Sequence, residues 1–118
     1  MIDVRTNRWE DTALNVLRIF TGLLFMQHGA QKLFGWLEGQ QAGELLMQVA
    51  GVLEFFGGLL IVLGLLTRPL ALLLAAEMVI AYFMVHLPQG FWPIQNQGEL
   101  ALLYLFIYLY LSARGAGS

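Results

Sequence analysis

Apolar runs alternate with short polar segments along this chain, and their spacing predicts four helices. The apolar runs cover about residues 13–34, 44–66, 70–87 and 99–113. Most of them can cross a hydrocarbon core ~30 Å thick at ~1.5 Å of rise per residue, and the fourth is the shortest. The pattern therefore predicts an all-α protein, a transmembrane four-helix bundle that forms one domain over residues 1–118.

The composition favours the same class. The chain has 118 residues, of which 58% are hydrophobic and only 12% are charged, and its mean hydropathy is +0.69. A soluble domain of this size cannot bury so much apolar surface, whereas lipid can cover it. A formal charge of −2 without a basic patch argues against a nucleic-acid binder. Because the chain has no cysteine, thiol chemistry and Cys-ligated clusters are excluded, and any electrons must come from a cofactor or a partner.

The positions of the basic residues predict the orientation. Arg5, Arg8, Arg68 and Arg114 lie at one set of helix ends, whereas the opposite connections, 35–43 and 88–98, contain no Lys or Arg. By the positive-inside rule the N-terminus and the C-terminus are both predicted to be cytoplasmic. Two further expectations concern the ends of the first helix, with Thr6 or Asn7 as its cap and Trp36 as an interfacial anchor.

The start of the chain predicts a retained span. Its first residues are polar and the first apolar run is longer than the apolar region of a signal peptide. Arg18 lies in the inner half of this span, where we expect its side chain to reach toward the cytoplasmic headgroups.

A polar stripe marks the outer half of the first helix. Gln27, His28, Gln31 and Lys32 cover an arc of roughly 140° at 100° per residue. Ionisable groups at membrane depth are expensive, so they indicate a functional site by default. The functional interpretation is a site that donates from His28 or Lys32 to a polar headgroup such as a quinone carbonyl. The alternative is that the stripe only joins helices, through hydrogen bonds that contribute on the order of 1 kcal/mol each.

A carboxylate on the second helix is the expected partner of this stripe. Glu54 shares its face with Gly51 and Gly58, and small residues let a neighbouring helix approach closely. A carboxylate there must be paired or protonated. We therefore predict Lys32 within salt-bridge reach of Glu54 or Glu99. A structural ion pair and a proton acceptor both remain open for Glu54.

The remaining candidates lie on the third and fourth helices. Glu77 and His86 are nine residues apart, which is ~180° around an ideal helix. The two side chains are therefore not expected to face the bundle axis together. Either one of them faces a second copy of the chain, or His86 reaches the headgroup layer at the end of the helix. His28 and His86 alone are too few to indicate haem, and we predict no metal site. Glu99 opens the fourth helix, where a carboxylate is favoured by the unpaired N–H groups.

Three blocks of sequence resemble the DoxX family. They are HGAQKLFG near the end of the first helix, AGVLEFFGGLLIVLGLLTRPLA through the second turn, and NQGELALLYL at the start of the fourth helix. The resemblance extends over about residues 14–111. It implies a four-helix, multi-pass protein of a bacterial or archaeal inner membrane. The family's polar motif positions correspond to His28, Gln31, Lys32, Glu54, Arg68 and Glu99, and we assign Arg68 a role in topology.

The resemblance also suggests a functional context. Members of the family are linked to respiration and oxidative stress, among them subunits of a thiosulfate:quinone oxidoreductase and a membrane partner of superoxide dismutase and a sulfurtransferase. The leading hypothesis is a membrane subunit of a quinone-linked redox system. Its site would comprise His28, Gln31, Lys32, Glu54 and Glu99, with Gln27, Glu77 and His86 as secondary candidates. The expected partners are the lipid bilayer, a redox protein and a second copy of the chain.

Two alternatives remain open. One is a non-catalytic scaffold or assembly factor whose buried charges only fix the register of the helices. The other is a small-molecule or proton carrier that uses the same polar interior. The residues alone leave open whether the chain is an oxidoreductase subunit.

Overall fold

The computed structural model describes residues 8–35 and 43–116, in which all the regular secondary structure is helical. The helices are α1 (Arg8–Phe34), α2 (Leu45–Leu63), α3 (Thr67–Ala81), the single turn α4 (Pro93–Asn96) and α5 (Glu99–Arg114). Between α3 and α4 lie a π-helical segment, Tyr82–His86, and a 3₁₀ turn, Leu87–Gln89. The all-α prediction is confirmed. The expected cap at Thr6 or Asn7, the anchor Trp36 and most of the connection 35–43 lie outside the described residues.

The helix bounds differ from the predicted ones where local chemistry decides them. Helix α1 begins at Arg8, before its apolar run, with Glu10 and Asp11 in the first turn, where acidic side chains are favoured. Helix α2 ends at Leu63 because Gly64 adopts φ +75°. The N–H groups of Gly64 and of the following residue then bond carbonyls of the last turn, which is a Schellman ending.

Helices α1 and α2 pack with their backbones in close contact. A Cβ placed on Gly22 would lie 2.6 Å from the carbonyl oxygen of Gly58. A Cβ on Gly29 would meet the backbone of Phe55. The small-residue face predicted for the second helix is therefore a packing face, as expected for close helix pairs.

Helix α3 packs along α5, and aromatic side chains join this pair to α1. The ring of Phe25 meets the rings of Tyr104 and Tyr108 edge to face, with centroid distances of 4.9 and 5.1 Å. Ile61 and Leu74 are fully buried in the same cluster. One hydrophobic core thus includes residues of α1, α2, α3 and α5.

Two of the described helical segments, Leu45–Leu63 and Thr67–Gln89, are long and apolar enough to cross a membrane. Large apolar side chains also lie on the outside of every long helix, for example Phe20, Val52, Leu72 and Phe106. Lipid would cover such a surface.

Arg18 is buried and does not reach toward headgroups, so that expectation was wrong. Its guanidinium donates to the carbonyl oxygens of Ile61 and Val62 at 2.6 and 2.7 Å, and to that of Ala116 at 3.1 Å. Ile61 and Val62 lie in the last turn of α2, where carbonyls lose their intrahelical N–H partners, and the Ile61 carbonyl also accepts from the N–H of Gly64. Arg18 therefore closes the C-terminal end of α2.

Candidate functional site

A cavity of about 240 Å³ lies between α1, α2, the α3–π segment and α5. Its polar lining residues come from all of these elements: His28, Lys32, Glu54, His86, Gln97 and Tyr104. The rest of the lining is apolar, with Phe25, Met78, Ala81, Leu100 and Ala101. A mostly apolar cavity with a few convergent polar groups is typical of small-molecule sites.

Lys32 and Glu54 form a salt bridge across the α1–α2 contact. The ammonium Nζ of Lys32 lies 2.7 Å from Oε1 and 2.6 Å from Oε2 of Glu54. The Glu54 side chain is only 3% exposed, whereas that of Lys32 is 26% exposed. The predicted pairing of Lys32 is confirmed with Glu54 as its partner. Both residues of the pair line the cavity.

A second carboxyl group joins this pair. The side chain of Glu77 on α3 lies beside the Lys32–Glu54 pair. The Oε1 atom of Glu77 is buried and has no hydrogen-bond partner among the described residues. The cluster of Lys32, Glu54 and Glu77 therefore contains one amino group and two carboxyl groups.

His28 lies one helical turn from Lys32 and faces the same cavity. Its ring meets that of Tyr104 edge to face, with the centroids 5.8 Å apart. Gln31 is half-buried beside it and does not line the cavity. Two predicted members, Gln27 and Glu99, have exposed side chains and do not line the cavity. Glu99 begins α5 instead, in the first-turn position that favours a carboxylate.

The π-helical segment brings His86 to the cavity, which the sequence interpretation did not expect. An ideal α-helix would place Glu77 and His86 on opposite sides, yet Glu77 contacts Glu54 and His86 lines the cavity. In a π turn, with its i→i+5 bonds, each residue rotates less around the axis than in an α-helix. The five residues Tyr82–His86 therefore turn His86 back toward the side of Glu77. The expectation of opposite faces was wrong, and the argument from it for a second copy of the chain falls away.

The ring of His86 is oriented by the loop before α5. Its Nδ1 lies 3.1 Å from the carbonyl oxygen of Asn96. Because a carbonyl only accepts, Nδ1 carries the proton and donates it. In the neutral ring, Nε2 is then the acceptor.

Asn96 organises this part of the site, and the sequence interpretation missed it. The side chain is fully buried and donates to the Tyr82 hydroxyl at 3.1 Å and to the Gly90 carbonyl at 2.9 Å. Its Oδ1 accepts from the N–H of Gly98 at 2.8 Å. The available signal was the turn sequence Asn-Gln-Gly, in which asparagine commonly bonds the backbone two residues on.

Arg68 lies far from the cavity, near the C-terminal end of α5. Its Nη2 is 3.5 Å from the carbonyl oxygen of Arg114. Among the described residues no group of three or more His, Cys, Asp or Glu side chains is placed to hold a metal ion.

The sequence that forms most of the site matches a known family. A family model described as DoxX matches residues 13–87. This chain belongs to the DoxX family. The match covers α1, α2, α3 and the π-helical segment, and so includes every acidic, basic or histidine side chain that lines the cavity.

Three relatives of this DoxX protein extend over most of its length. An uncharacterized protein of Haemophilus influenzae is 42% identical over 89% of this chain and 84% of its own. Inner membrane protein YqjF of Escherichia coli is 31% identical, over 92% of this chain and 90% of its own. "Putative oxidoreductase CatD" of Bacillus subtilis is 31% identical, over 86% and 78%. No solved structure matches this chain significantly. The family and the apolar helices identify a membrane protein.

Proposed function

We propose that this DoxX protein crosses a bacterial inner membrane four times, with both termini in the cytoplasm. Helices α1 and α5 pack against the two apolar segments that satisfy the length and hydropathy of a span. The basic residues Arg8, Arg68 and Arg114 lie at the ends of helices that this orientation places in the cytoplasm. The relative named as an inner membrane protein supports the location.

We further propose that the cavity binds the headgroup of a quinone and that the chain is a membrane subunit of a quinone-linked redox system. The observation that carries this proposal is the cluster of Lys32, Glu54 and Glu77 beside an apolar cavity. Such a cluster combines a hydrogen-bond donor, the Lys32 ammonium, with two carboxyl groups that can exchange protons. The relative named as an oxidoreductase supports the redox context.

The lining residues fit a quinone headgroup. Phe25, Met78 and Leu100 supply apolar walls for a flat ring. Lys32 and His28 supply donors for a carbonyl oxygen, and the volume of about 240 Å³ accommodates a single substituted ring. A bound quinone would supply a two-electron, two-proton redox couple. Because the chain has no cysteine, we propose that a partner protein delivers the electrons.

The roles of the chain's own residues follow from their contacts. Lys32 is anchored by Glu54, its side chain is partly exposed and it lines the cavity, so we propose that it donates to a carbonyl there. Glu54 and Glu77 lie side by side, and we propose that they exchange protons at the polar end of the cavity. His86 presents Nε2, because Nδ1 is bound to the Asn96 carbonyl. The side chains thus bind, orient and move protons.

The proposal is tested by quinone binding to protein purified in a mild neutral detergent. Mass spectrometry of its lipid extract should show co-purified quinone. Calorimetric titration with a short-chain ubiquinone analogue should then show binding that Lys32→Met weakens by about tenfold or more, as expected for a lost charged donor. Glu99→Gln is the matched control, because this carboxylate is exposed and outside the cavity. Absence of quinone together with absence of binding would reject the proposal.

A non-catalytic scaffold is the second candidate function. The observation that favours it is that Lys32 and Arg18 both join α1 to α2 through charged hydrogen bonds. These contacts account for both charges without a ligand. If the chain is a scaffold, cells that carry Lys32→Met should still form the complex with the partner protein, provided that the variant folds. The lipid extract of the purified protein should then contain no quinone.

A further inference from the structure

The end of the molecule away from the quinone cavity contains a second, open cavity of about 350 Å³. It is lined by Gly64 and the first turn of α3 on one side, and by Arg114, Gly115 and Ala116 on the other. Thr67 and Arg68 are the residues that the first turn contributes. No acidic side chain is among the described lining residues, so the cavity is basic.

Arginine side chains pack directly against the glycines of this cavity. A Cβ on Gly64 would lie 3.1 Å from Nη1 of Arg18, and one on Gly115 would lie 3.0 Å from Nε of Arg68. Both glycines have positive φ, +75° and +86°, a region that disfavours other side chains. Arg18 is already bonded to carbonyls. Among the described residues, Arg68 makes one long hydrogen bond of 3.5 Å, so most of its five donors are available to another acceptor.

The side chain of Thr67 supplies an independent indication of a ligand. Thr67 lines the cavity and is only 5% exposed, yet its hydroxyl has no hydrogen-bond partner among the described residues. A buried hydroxyl without a partner costs free energy. The positive-inside rule explains an arginine at this position but not an unsatisfied hydroxyl beside it.

The backbone favours the same kind of ligand. Helix α3 begins here with Leu66 as its N-cap, and no side chain bonds the free N–H groups of its first turn. A helix N-terminus attracts anions through these groups and the helix dipole. Three features thus converge: a guanidinium with spare donors, an unpartnered hydroxyl and an uncapped helix N-terminus.

We propose that this cavity is a phosphate site, formed by Thr67 and Arg68 of α3 with Arg114 of α5. Arginine guanidinium groups bind phosphate oxygens in bidentate pairs, and the Thr67 hydroxyl donates to a further oxygen. The phosphate belongs either to an anionic phospholipid headgroup or to free inorganic phosphate. The first source follows from the cytoplasmic orientation proposed above, since basic pockets on that side bind anionic lipid headgroups. The site itself is independent of quinone binding.

The two sources are separated by two probes added to the full chain in neutral detergent. One titration uses inorganic phosphate against chloride at matched ionic strength. The other uses dihexanoyl phosphatidylglycerol against dihexanoyl phosphatidylcholine. Binding of the phosphatidylglycerol alone assigns a lipid headgroup, and binding of inorganic phosphate assigns a site for the phosphate group itself. Each result supports the proposal.

Variants test whether the binding occurs at the proposed residues. Arg68→Gln should weaken binding by about tenfold or more, because a hydrogen bond to a charged group is lost. Arg68→Lys keeps the charge but lacks the bidentate fork, so it should also weaken binding and serves if the first variant fails to fold. Arg8→Gln is the matched control, since Arg8 is exposed and outside the cavity.

Thr67→Val is the sharpest variant. Removing an unpartnered hydroxyl should leave the unliganded melting temperature unchanged or higher, while binding of the probe weakens by several-fold. A purely structural hydroxyl would change the melting temperature and leave binding intact. The proposal is overturned if neither probe binds, if phosphatidylcholine binds as well as phosphatidylglycerol, or if Arg8→Gln weakens binding as much as Arg68→Gln.

Discussion

The ammonium of Lys32 on α1 is shared by both carboxylate oxygens of Glu54 on α2, at 2.7 and 2.6 Å. Glu77 on α3 lies beside Glu54, so one lysine is the cation of a cluster that extends over three helices. Removing the lysine leaves two carboxyl groups buried without a cation. Buried charges that lose their partner are strongly destabilising.

We therefore predict that Lys32→Met destabilises the protein. The cost is about 3–5 kcal/mol for a fully buried pair, and the 26% exposure of Lys32 places the expected value at the lower end. The double variant Lys32→Met with Glu54→Gln should recover much of the loss, because it removes the uncompensated charge. Unfolding in detergent, followed by circular dichroism for both single variants and the double, measures the coupling. Additive effects of the two changes would contradict the pairing.

The same cycle separates the two candidate functions. If the pair is only structural, the double variant recovers stability and leaves any activity of the complex intact. If the pair belongs to a quinone site, the double variant recovers stability while quinone binding remains lost.

A second prediction concerns Arg18. Arg18→Met should destabilise by about 1–3 kcal/mol, because the Val62 carbonyl loses its guanidinium donor, whereas the Ile61 carbonyl keeps the N–H of Gly64. Arg18→Lys should recover only part of this, since a single ammonium lacks the fork. Arg8→Lys, at an exposed position of the same helix, should have little effect. Thermal denaturation compares the three, and a neutral Arg18→Lys would indicate a side chain that reaches the headgroups.

A third prediction concerns Asn96. Asn96→Ala should cost about 1–3 kcal/mol for each buried partner that it leaves unpaired, since the side chain bonds Gly90 and Gly98. Gln95→Ala, at the exposed neighbouring position, should be close to neutral. Hydrogen exchange should show faster exchange in residues 90–98 of the Asn96 variant. Equal exchange in the two variants would show that Asn96 does not hold this loop.

A fourth prediction concerns the α1–α2 contact. Gly29→Ala should destabilise by about 1–3 kcal/mol, the usual cost of overpacking, because the new Cβ meets the backbone of Phe55. Gly43→Ala is the matched control, since nothing lies within 4 Å of a Cβ there. Melting temperatures of the two variants should differ clearly. An unchanged Gly29 variant would mean that the two helices are farther apart.

The proposed orientation has its own test. A reporter fused after Ser118 and one inserted near Gln40 should lie on opposite sides of the membrane, with the first in the cytoplasm. Paired phosphatase and fluorescent-protein fusions measure this directly. Identical compartments for both reporters would exclude the three spans predicted between Gln40 and Ser118.

The alternation of apolar runs and polar segments was sufficient to predict the four long helices, because each has one face in the core and one apolar face outside. The polar residues predicted that Lys32 pairs with Glu54 or Glu99, since a buried carboxylate must be paired or protonated, and the structure pairs it with Glu54. Glu99 was harder to place. Its position at a helix N-terminus and its place in a polar motif gave competing interpretations, and the structure leaves its side chain exposed.

The interpretations of His86 and Arg18 failed for a shared reason. Both depend on backbone groups that only the folded chain brings near. The orientation of His86 requires the π-helical segment and the carbonyl of Asn96. The burial of Arg18 requires the carbonyls at the end of α2. A helical wheel drawn at a constant angle of about 100° per residue shows neither the π-helical segment nor the contacts between backbone and side chain.

The π-helical segment makes the number of residues before the loop as important as their identity. Deleting one residue between Ala81 and His86 would restore α-helical phase and turn a different side chain into the cavity, although every residue lining it would still be present in the chain. Related proteins that differ here by an insertion or deletion would then differ in cavity chemistry while retaining the same motifs. The number of residues between positions 81 and 86 therefore determines which side chain lines the cavity, and a comparison of motif residues alone would overlook it.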